Sequence, residues 1–492
     1  AKVLVRRMSK EVHSLHVFFI PFLAHGHIIP TVDMAKLFAE KGVKATIITT
    51  PLNVPFISKA IGKAKSNDST IHIETVEFPY AEAGLPEGCE NTNSITSMHI
   101  YPAFFKACGL LQDPFEQLLL QQHPNCVVAD VMLPWATNSA AKFGVPSLVY
   151  DGTSFFSICA NECTRLYEPY KSVSSDSEPF VIPNLPGEIE MTRMQVSPHV
   201  MSNKESPGVT KLLEEVKESQ LKSCGMVVNS FYELEKVYAD HLRNVLGRKA
   251  WHIGPMFLCN RVKEEKAHRG MDASINDEHE CLKWLDTKEP NSVVYVCFGT
   301  TTMLTDSQLK DIATGLEASG QQFIWVVRKS KDDGVDQWLP DDGFEKRMEG
   351  KGLIIRGWAP QVLILEHEAI GAFATHCGWN SILEGVVAGV PMVTWPIAYE
   401  QFFNEKLVAE ILKIGVPIGA KKWAAGVGDT VKWEAVEKAV KRIMIGEEAD
   451  EMRNKANEFL QLARQAVEEG GSSYSDLDAL IAELGSISYS NE

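Results

Sequence analysis

The chain has 492 residues, 45% hydrophobic and 23% charged, with 34 Gly and 24 Pro, proportions that exclude collagen, coiled coil and intrinsic disorder. At roughly 100–200 residues per domain, the length implies about two or three domains, each able to bury its own core. Lys plus Arg number 48 against 64 Asp plus Glu, a net charge of −16, so nucleic acid and anionic membrane surfaces are poor partners and small molecules are the expected ones.

Residues 1–7 precede Met8, the expected natural start. The first apolar stretch, 17–24, is too short to span a membrane and has neither the flanks of a signal peptide nor freedom from proline (Pro21). From there, short and nearly all-apolar runs alternate with helix-length segments. Strands are expected at 16–22, 45–49, 71–76, 126–129, 147–150 and 226–229, the pattern of a parallel sheet buried on both faces. Between the first two, apolar residues at helical spacing and Gly42 as a stop predict a helix over 31–42, preceded by a loop holding His25 and His27.

The stretch 254–278 is polar and charge-rich and reads as a linker. Beyond it strands are expected at 292–298, 323–327, 353–355, 372–375 and 391–395, with a helix over 308–317 among them. Each half thus reads as an open, doubly wound α/β sheet, two Rossmann-like domains expected to face each other across a cleft. Residues 449–484 have helical periodicity broken at Gly470-Gly471, which predicts two terminal helices. Ten scattered cysteines without a CxxC pair suit a reducing, cytoplasmic setting.

In open α/β sheets ligands bind beyond the carboxyl ends of strands, and three such places carry chemistry. After a strand ending at Thr375, the run His376, Cys377, Gly378, Trp379, Asn380, Ser381 opens a helix bearing Glu384. Its free N–H groups and dipole favour phosphate, and Glu384, one turn on, is placed for a ribose diol. Spacing alone equally fits a capped helix around a buried Trp. The second place is His25-Gly26-His27, where an imidazole can remove a hydroxyl proton near neutral pH, although by residue type alone a lone histidine here is more often structural. The third is Asp130, either a helix cap or the carboxylate that orients a histidine.

Residues 358–401, WAPQVLILEHEAIGAFATHCGWNSILEGVVAGVPMVTWPIAYEQ, resemble the 44-residue donor-binding signature of plant family 1 UDP-sugar glycosyltransferases. PFLAHGHIIP, VVADVMLPWA, VNSFYELE, HIGP and VYVCFGT extend the resemblance over most of the chain, which within the family is most similar to the flavonoid and triterpenoid sapogenin subgroup. The resemblance implies a GT-B fold: an acceptor-binding domain over 8–253, the linker, a donor-binding domain over 279–460, and helices over 461–492 packing back on the first domain. It implies that Trp358 stacks on uracil, with the Ala359 backbone pairing its edge and Gln361 near the ribose. Glu384 would hold the ribose hydroxyls. Thr300, His376, Gly378, Asn380 and Ser381 would bind the diphosphate, and Trp379, Glu400 and Gln401 the sugar. Thr300 and Glu400 stand where the family commonly has Ser and Asp, each keeping the functional group.

The same resemblance selects His27 as general base and pairs it with Asp130, while His25 becomes a loop or acceptor-side residue. No dinucleotide fingerprint or P-loop is present, and the one DxD, Asp476-Leu477-Asp478, falls in an expected helix with its carboxylates on different faces. Cofactors and metals are therefore expected to be none, the UDP-sugar being a co-substrate. The expected reaction is inverting transfer from UDP-glucose, with UDP-galactose and UDP-glucuronate as alternatives, by a chain working as a monomer without membrane insertion. The acceptor is expected to be a hydrophobic plant metabolite, a triterpenoid sapogenin or its glycoside first and a flavonoid second, shaped by the loops 79–105 and 162–208. A non-catalytic UDP-sugar binder is the rival, and a nicotinamide oxidoreductase lacks its glycines.

Overall fold

A computed structural model describes residues 15–62, 70–95, 98–201, 207–267, 269, 275–300, 302, 304–327, 343–425 and 428–490. The start expected at Met8 and residues 268 and 270–274 of the expected linker lie outside them. The described strands run β1 (His16–Ile20), β2 (Lys44–Thr49), β3 (Ile71–Thr75), β4 (Cys126–Asp130), β5 (Ser147–Asp151), β6 (Pro179–Val181), β7 (Glu190–Thr192), β8 (Met226–Val228), β9 (Ala250–His252), β10 (Val293–Cys297), β11 (Gln322–Val327), β12 (Gly352–Arg356), β13 (Ile370–Thr375), β14 (Met392–Thr394) and β15 (Gly415–Pro417). The chain divides into two compact units, one of residues 1–155, 203–261 and 465–492, the other of 156–202 and 262–464.

In the first unit seven strands lie in the order β3-β2-β1-β4-β5-β8-β9, all pairs parallel. Strand β1 shows why its sequence is apolar throughout: Val17 and Phe19 enter one hydrophobic layer and Phe18 and Ile20 the other, so alternate side chains are buried on opposite faces. Chain order reverses between β1 and β4, which makes the ends of those two strands the switch point where such sheets bind ligands. In the second unit six parallel strands lie β12-β11-β10-β13-β14-β15, and the switch point falls between β10 and β13.

Three differences from the sequence reading have physical causes. The helix after β1 spans His25–Glu40 and carries Pro30 in its interior, so both histidines sit on its first turn rather than in a loop. Pro30 lies six residues in, past the first-turn positions whose N–H groups an α-helix leaves unbonded, so the helix forms with one backbone donor fewer. Strands β9 (AWH) and β15 (GVP) and the antiparallel hairpin β6–β7 (PFV, EMT) are three residues each and lack the nearly all-apolar run that marked the equally short β8 and β14. Residues 156–202 group with the second unit, where Ser157 Oγ donates to Asn404 Oδ1 at 2.7 Å and the Trp423 N–H to the Met194 carbonyl at 2.7 Å.

The terminal helices are Ala449–Val467 and Ser472–Ser490. Leu477, Leu480, Ile481 and Leu484 of the last one join the hydrophobic layer of β1 and β2. Among the described residues no helix is long and apolar enough to cross a membrane.

Candidate active site

At the switch point of the first unit, β1 and β4 run in parallel register with Ile20 opposite Ala129. The chain past Ile20 turns into the helix bearing His27, and β4 ends on Asp130. His27 Nδ1 and Asp130 Oδ2 meet at 2.8 Å, the carboxylate side chain 1% exposed and the imidazole 30%. The other carboxylate oxygen, Oδ1, accepts from the Met132 N–H at 3.0 Å. In neutral His27 this pairing places the proton on Nδ1 and the lone pair on Nε2. Phe22 packs edge-on to the imidazole at 5.4 Å and stacks on Phe105, which gives the base an apolar flank.

His25, expected as a loop or acceptor-side residue, begins the helix His25–Glu40. Its ring is buried, stacked on Phe56 at 4.5 Å, and Asn93 Nδ2 donates to its Nδ1 at 2.8 Å. Burial pushes its pKa down to about 4, so it is a neutral packing residue. Asn93 belongs to a polar cluster that the sequence reading missed. Glu90 accepts from the Leu52 N–H at 2.8 Å and from Tyr80 Oη; Asn91 Nδ2 donates to Asn53 Oδ1 at 3.0 Å; Asn53 Nδ2 donates to Thr50 Oγ1 at 2.9 Å. Glu90, Asn91 and Thr92 are buried, so this part of the 79–105 segment is tied down. The concentration of short amides in GCENTNS was the available signal.

In the second unit, β10 and β13 pair with Cys297 opposite Thr375, which brings the turns after both strands side by side. Thr300 lies in the first turn, His376 to Ser381 in the second. His376 is held between two glycines: a Cβ on Gly299 would come 2.7 Å from its Cε1, and one on Gly378 2.5 Å from its Nε2. Burial pushes the His376 pKa down to about 4, and its buried Nδ1 makes no hydrogen bond among the described residues. Gly378 is the N-cap of the helix Trp379–Ala388, so this turn leads into the helix N-terminus, whose first-turn N–H groups have no partner within the helix itself.

Gln361 begins the helix Gln361–Leu365. Its Nε2 donates to Glu384 Oε2 at 2.7 Å and to Ser381 Oγ at 3.2 Å, while Tyr295 Oη donates to its Oε1 at 3.2 Å. Gln361 therefore orients the carboxylate expected to hold the ribose. Arg269, a residue the sequence reading passed over, places Nη2 3.4 Å from Glu384 Oε1. Trp358 is half-buried just past β12, and Ala359 beside it is buried. Trp379 and Gln401 are sealed to 2% and 4% exposure, and Gln401 Oε1 accepts from the Ile397 and Ala398 N–H groups, both at 2.9 Å. Glu400 is half-buried, within 3.4 Å of Asn404 Nδ2.

A profile of the family described as UDP-glucoronosyl and UDP-glucosyl transferase matches residues 216–444. A scopoletin glucosyltransferase of Nicotiana tabacum is 56% identical over 96% of this chain and 98% of its own. The chain belongs to the UDP-glycosyltransferase family. A UDP-glucose flavonoid 3-O-glucosyltransferase of Fragaria ananassa is 55% identical over 98% of both chains. The crystal structure of Glycyrrhiza uralensis UGT73P12 complexed with glycyrrhetinic acid 3-O-monoglucuronide superposes with a TM-score of 0.91 at 40% identity over 97% of each chain. The fold is that of GT-B plant glycosyltransferases, and the protein is a glycosyltransferase.

Seen as a UDP-glycosyltransferase, the chain also explains its motifs away from the two switch points. In VNSFYELE, Asn229 Oδ1 accepts from the Met256 N–H at 2.9 Å, and the buried Glu235 carboxylate accepts from Ser230 Oγ at 2.5 Å and from the Phe155 N–H at 3.3 Å. In HIGP, a Cβ on Gly254 would meet Asn229 Oδ1 at 2.5 Å. Both motifs are packing devices of the first unit. The DxD is another: Asp476 Oδ2 accepts from the His252 N–H at 2.8 Å and Arg243 Nη2 at 3.1 Å, while Asp478 pairs with Lys41 at 2.6 Å. Among the described residues no three His, Cys, Asp or Glu side chains come together as a metal site would need.

Proposed function

We propose that this protein transfers glucose from UDP-glucose, with inversion and without a metal ion, to a hydroxyl of a hydrophobic plant small molecule. The observation that carries the proposal is the 2.8 Å His27–Asp130 pair at the end of β1 and β4. Asp130 is buried behind the imidazole and serves it, which leaves one base and no carboxylate nucleophile in the pair. One base suits a single in-line displacement. Nε2 of His27 takes the acceptor proton as its oxygen forms the bond to the anomeric carbon; the bond to the UDP oxygen breaks on the opposite face. An α-linked donor then gives a β-glycoside. Asp130 offsets the charge that His27 gains.

For the leaving diphosphate, the reading assigns the first-turn N–H groups of the helix Trp379–Ala388, the His376 imidazole and Thr300. Fixed donors of this kind stabilise developing negative charge without reorganising. Trp358 would stack on uracil, with the Ala359 backbone at its edge, and Glu384, aimed by Gln361, would take the ribose diol. Relatives named for scopoletin and flavonoid glucosylation, at 56% and 55% identity, support UDP-glucose as donor and a phenolic acceptor first. The solved relative with glycyrrhetinic acid 3-O-monoglucuronide, at 40% identity, keeps triterpenoid glycosides second. Ten cysteines as free thiols suit the reducing cytoplasm.

The test is mass-spectrometric product detection with phenolic and triterpenoid acceptors against UDP-glucose, UDP-galactose and UDP-glucuronic acid, in EDTA. Transfer of glucose giving a β-linkage is expected, and His27→Ala should abolish it while UDP still binds. Transfer that requires an added divalent ion, or that survives in His27→Ala, would overturn the mechanism.

A further inference from the structure

Cys377 has a left-handed backbone, φ 66°, where β13 turns into the helix Trp379–Ala388. A residue with a Cβ pays about 1 kcal/mol for that conformation, so the surroundings must hold it. Asn404, on the helix Gln401–Lys406 and 0% exposed, does so: its Nδ2 donates to the Cys377 carbonyl at 2.9 Å. The amide is engaged at both ends. Its Oδ1 accepts from the buried Ser157 Oγ at 2.7 Å and its Nδ2 also lies 3.4 Å from Glu400 Oε1; the Cys377 carbonyl and the Glu400 carboxylate only accept, which fixes the nitrogen toward the turn.

Across a trans peptide the C=O and the N–H point in opposite directions. Anchoring the Cys377 carbonyl to Asn404 therefore aims the Gly378 N–H away from Asn404, out of the turn. We propose that Asn404 is a positioning residue for the donor: through one buried amide it sets the Cys377–Gly378 peptide, whose N–H meets the diphosphate, and the Glu400 carboxylate, which meets the sugar. This rests on the donor-site reading above. Ser157 completes the device by holding the far end of the amide in place at 2.7 Å, while a flip is opposed by the Cys377 carbonyl and the Glu400 carboxylate, which a turned amide oxygen would face.

The deciding substitution is Asn404→Asp in the full-length protein. It keeps the size and the acceptor for Ser157 but replaces the donor by an oxygen facing two others. UDP and UDP-glucose affinity would be measured by calorimetry, with donor and acceptor KM, kcat and Tm alongside. Expected is a UDP affinity about fivefold or more weaker, in line with one lost hydrogen bond and a new repulsion, a raised donor KM and an unchanged acceptor KM. A merely structural residue would lower Tm and the active fraction but leave the Kd of the folded protein unmoved, and that result would overturn the proposal. If Asn404→Asp does not fold, Ser157→Ala carries the test: a weaker shift in the same direction supports it, and unchanged donor constants sink it. Glu384→Ala runs in parallel. If it loses UDP binding while the Asn404 variant does not, only this inference fails; if it binds UDP normally, the donor-site reading fails with it.

Discussion

Asp130 commits one oxygen to His27 and the other to the Met132 N–H. An Asn there keeps the shape but can present an N–H to His27 Nδ1, which moves the ring proton to Nε2 and removes the base. Asp130→Asn is expected to lower kcat by about 10³-fold or more, the scale of the same change in hydrolytic triads, with UDP affinity intact; steady-state kinetics with calorimetry checks it. Gly378 has an ordinary φ of −63°, so Gly378→Ala acts by contact alone: the new Cβ would lie 2.5 Å from His376 Nε2 and must push the ring aside. Donor KM should rise about tenfold with little change in Tm. His25 asks only for an acceptor toward Asn93, so His25→Gln should keep most activity and His25→Ala should lose about 1–3 kcal/mol of stability, measured by denaturant unfolding.

At the scale of elements, the last helix is held within the first unit by its buried leucines and by several polar contacts, Asp476 among them. Burial alone would raise the Asp476 pKa, but hydrogen bonds and charge from His252 and Arg243 outweigh it and hold the group below its usual value. A depressed carboxylate contributes stability above its unfolded pKa and loses it as pH falls through the folded one. Asp476→Asn should therefore cost about 1–3 kcal/mol at neutral pH, with the deficit closing in acid, read from Tm against pH. The segment around Glu90 to Asn93 makes the complementary point. This stretch of a loop expected only to shape the acceptor site is pinned by hydrogen bonds from Leu52 and Tyr80 and by its own buried amides, because buried polar groups must find partners.

Over the whole molecule, two sets of buried titratable groups pull stability in opposite directions with pH. His16, His25 and His376 are each lowered to about 4, burial being the leading cause. Between about pH 6.5 and 4 the unfolded chain binds more protons at these sites, so their contribution is full above that window and is lost as pH falls through it. Glu405, its Oε2 accepting from Thr394 Oγ1 at 2.8 Å, is raised by burial to about 7. There the native state binds the extra proton, and stability falls as pH rises from about 4.5 to 7. Glu405→Gln keeps the hydrogen bond and should stabilise the protein by on the order of 3 kcal/mol at pH 8 but hardly at all at pH 4.5, a difference visible in paired thermal melts.

What the amino-acid order determined alone was whatever is written locally. All-apolar runs at strand length, separated by helix-length segments, gave two parallel α/β sheets, and 358–401 carried the family because its residues are contiguous. Spacing did not register β9 and β15, which lack an all-apolar run, and it put His25 and His27 in a loop because the apolar helical spacing was read only from residue 31 onward. The His27–Asp130 pair, 103 residues apart, was expected from the family resemblance and not from spacing; tertiary structure alone decided the other meetings: Arg269 and Gln361 on Glu384; Ser157 on Asn404, 247 residues apart, and Asn404 on the Cys377 carbonyl. Those pairings depend on strand order and register, which bring distant chain ends to one edge of a sheet. No local periodicity encodes that order, because a strand's own pattern states only that it is buried, and its neighbour is chosen by the packing of the whole sheet.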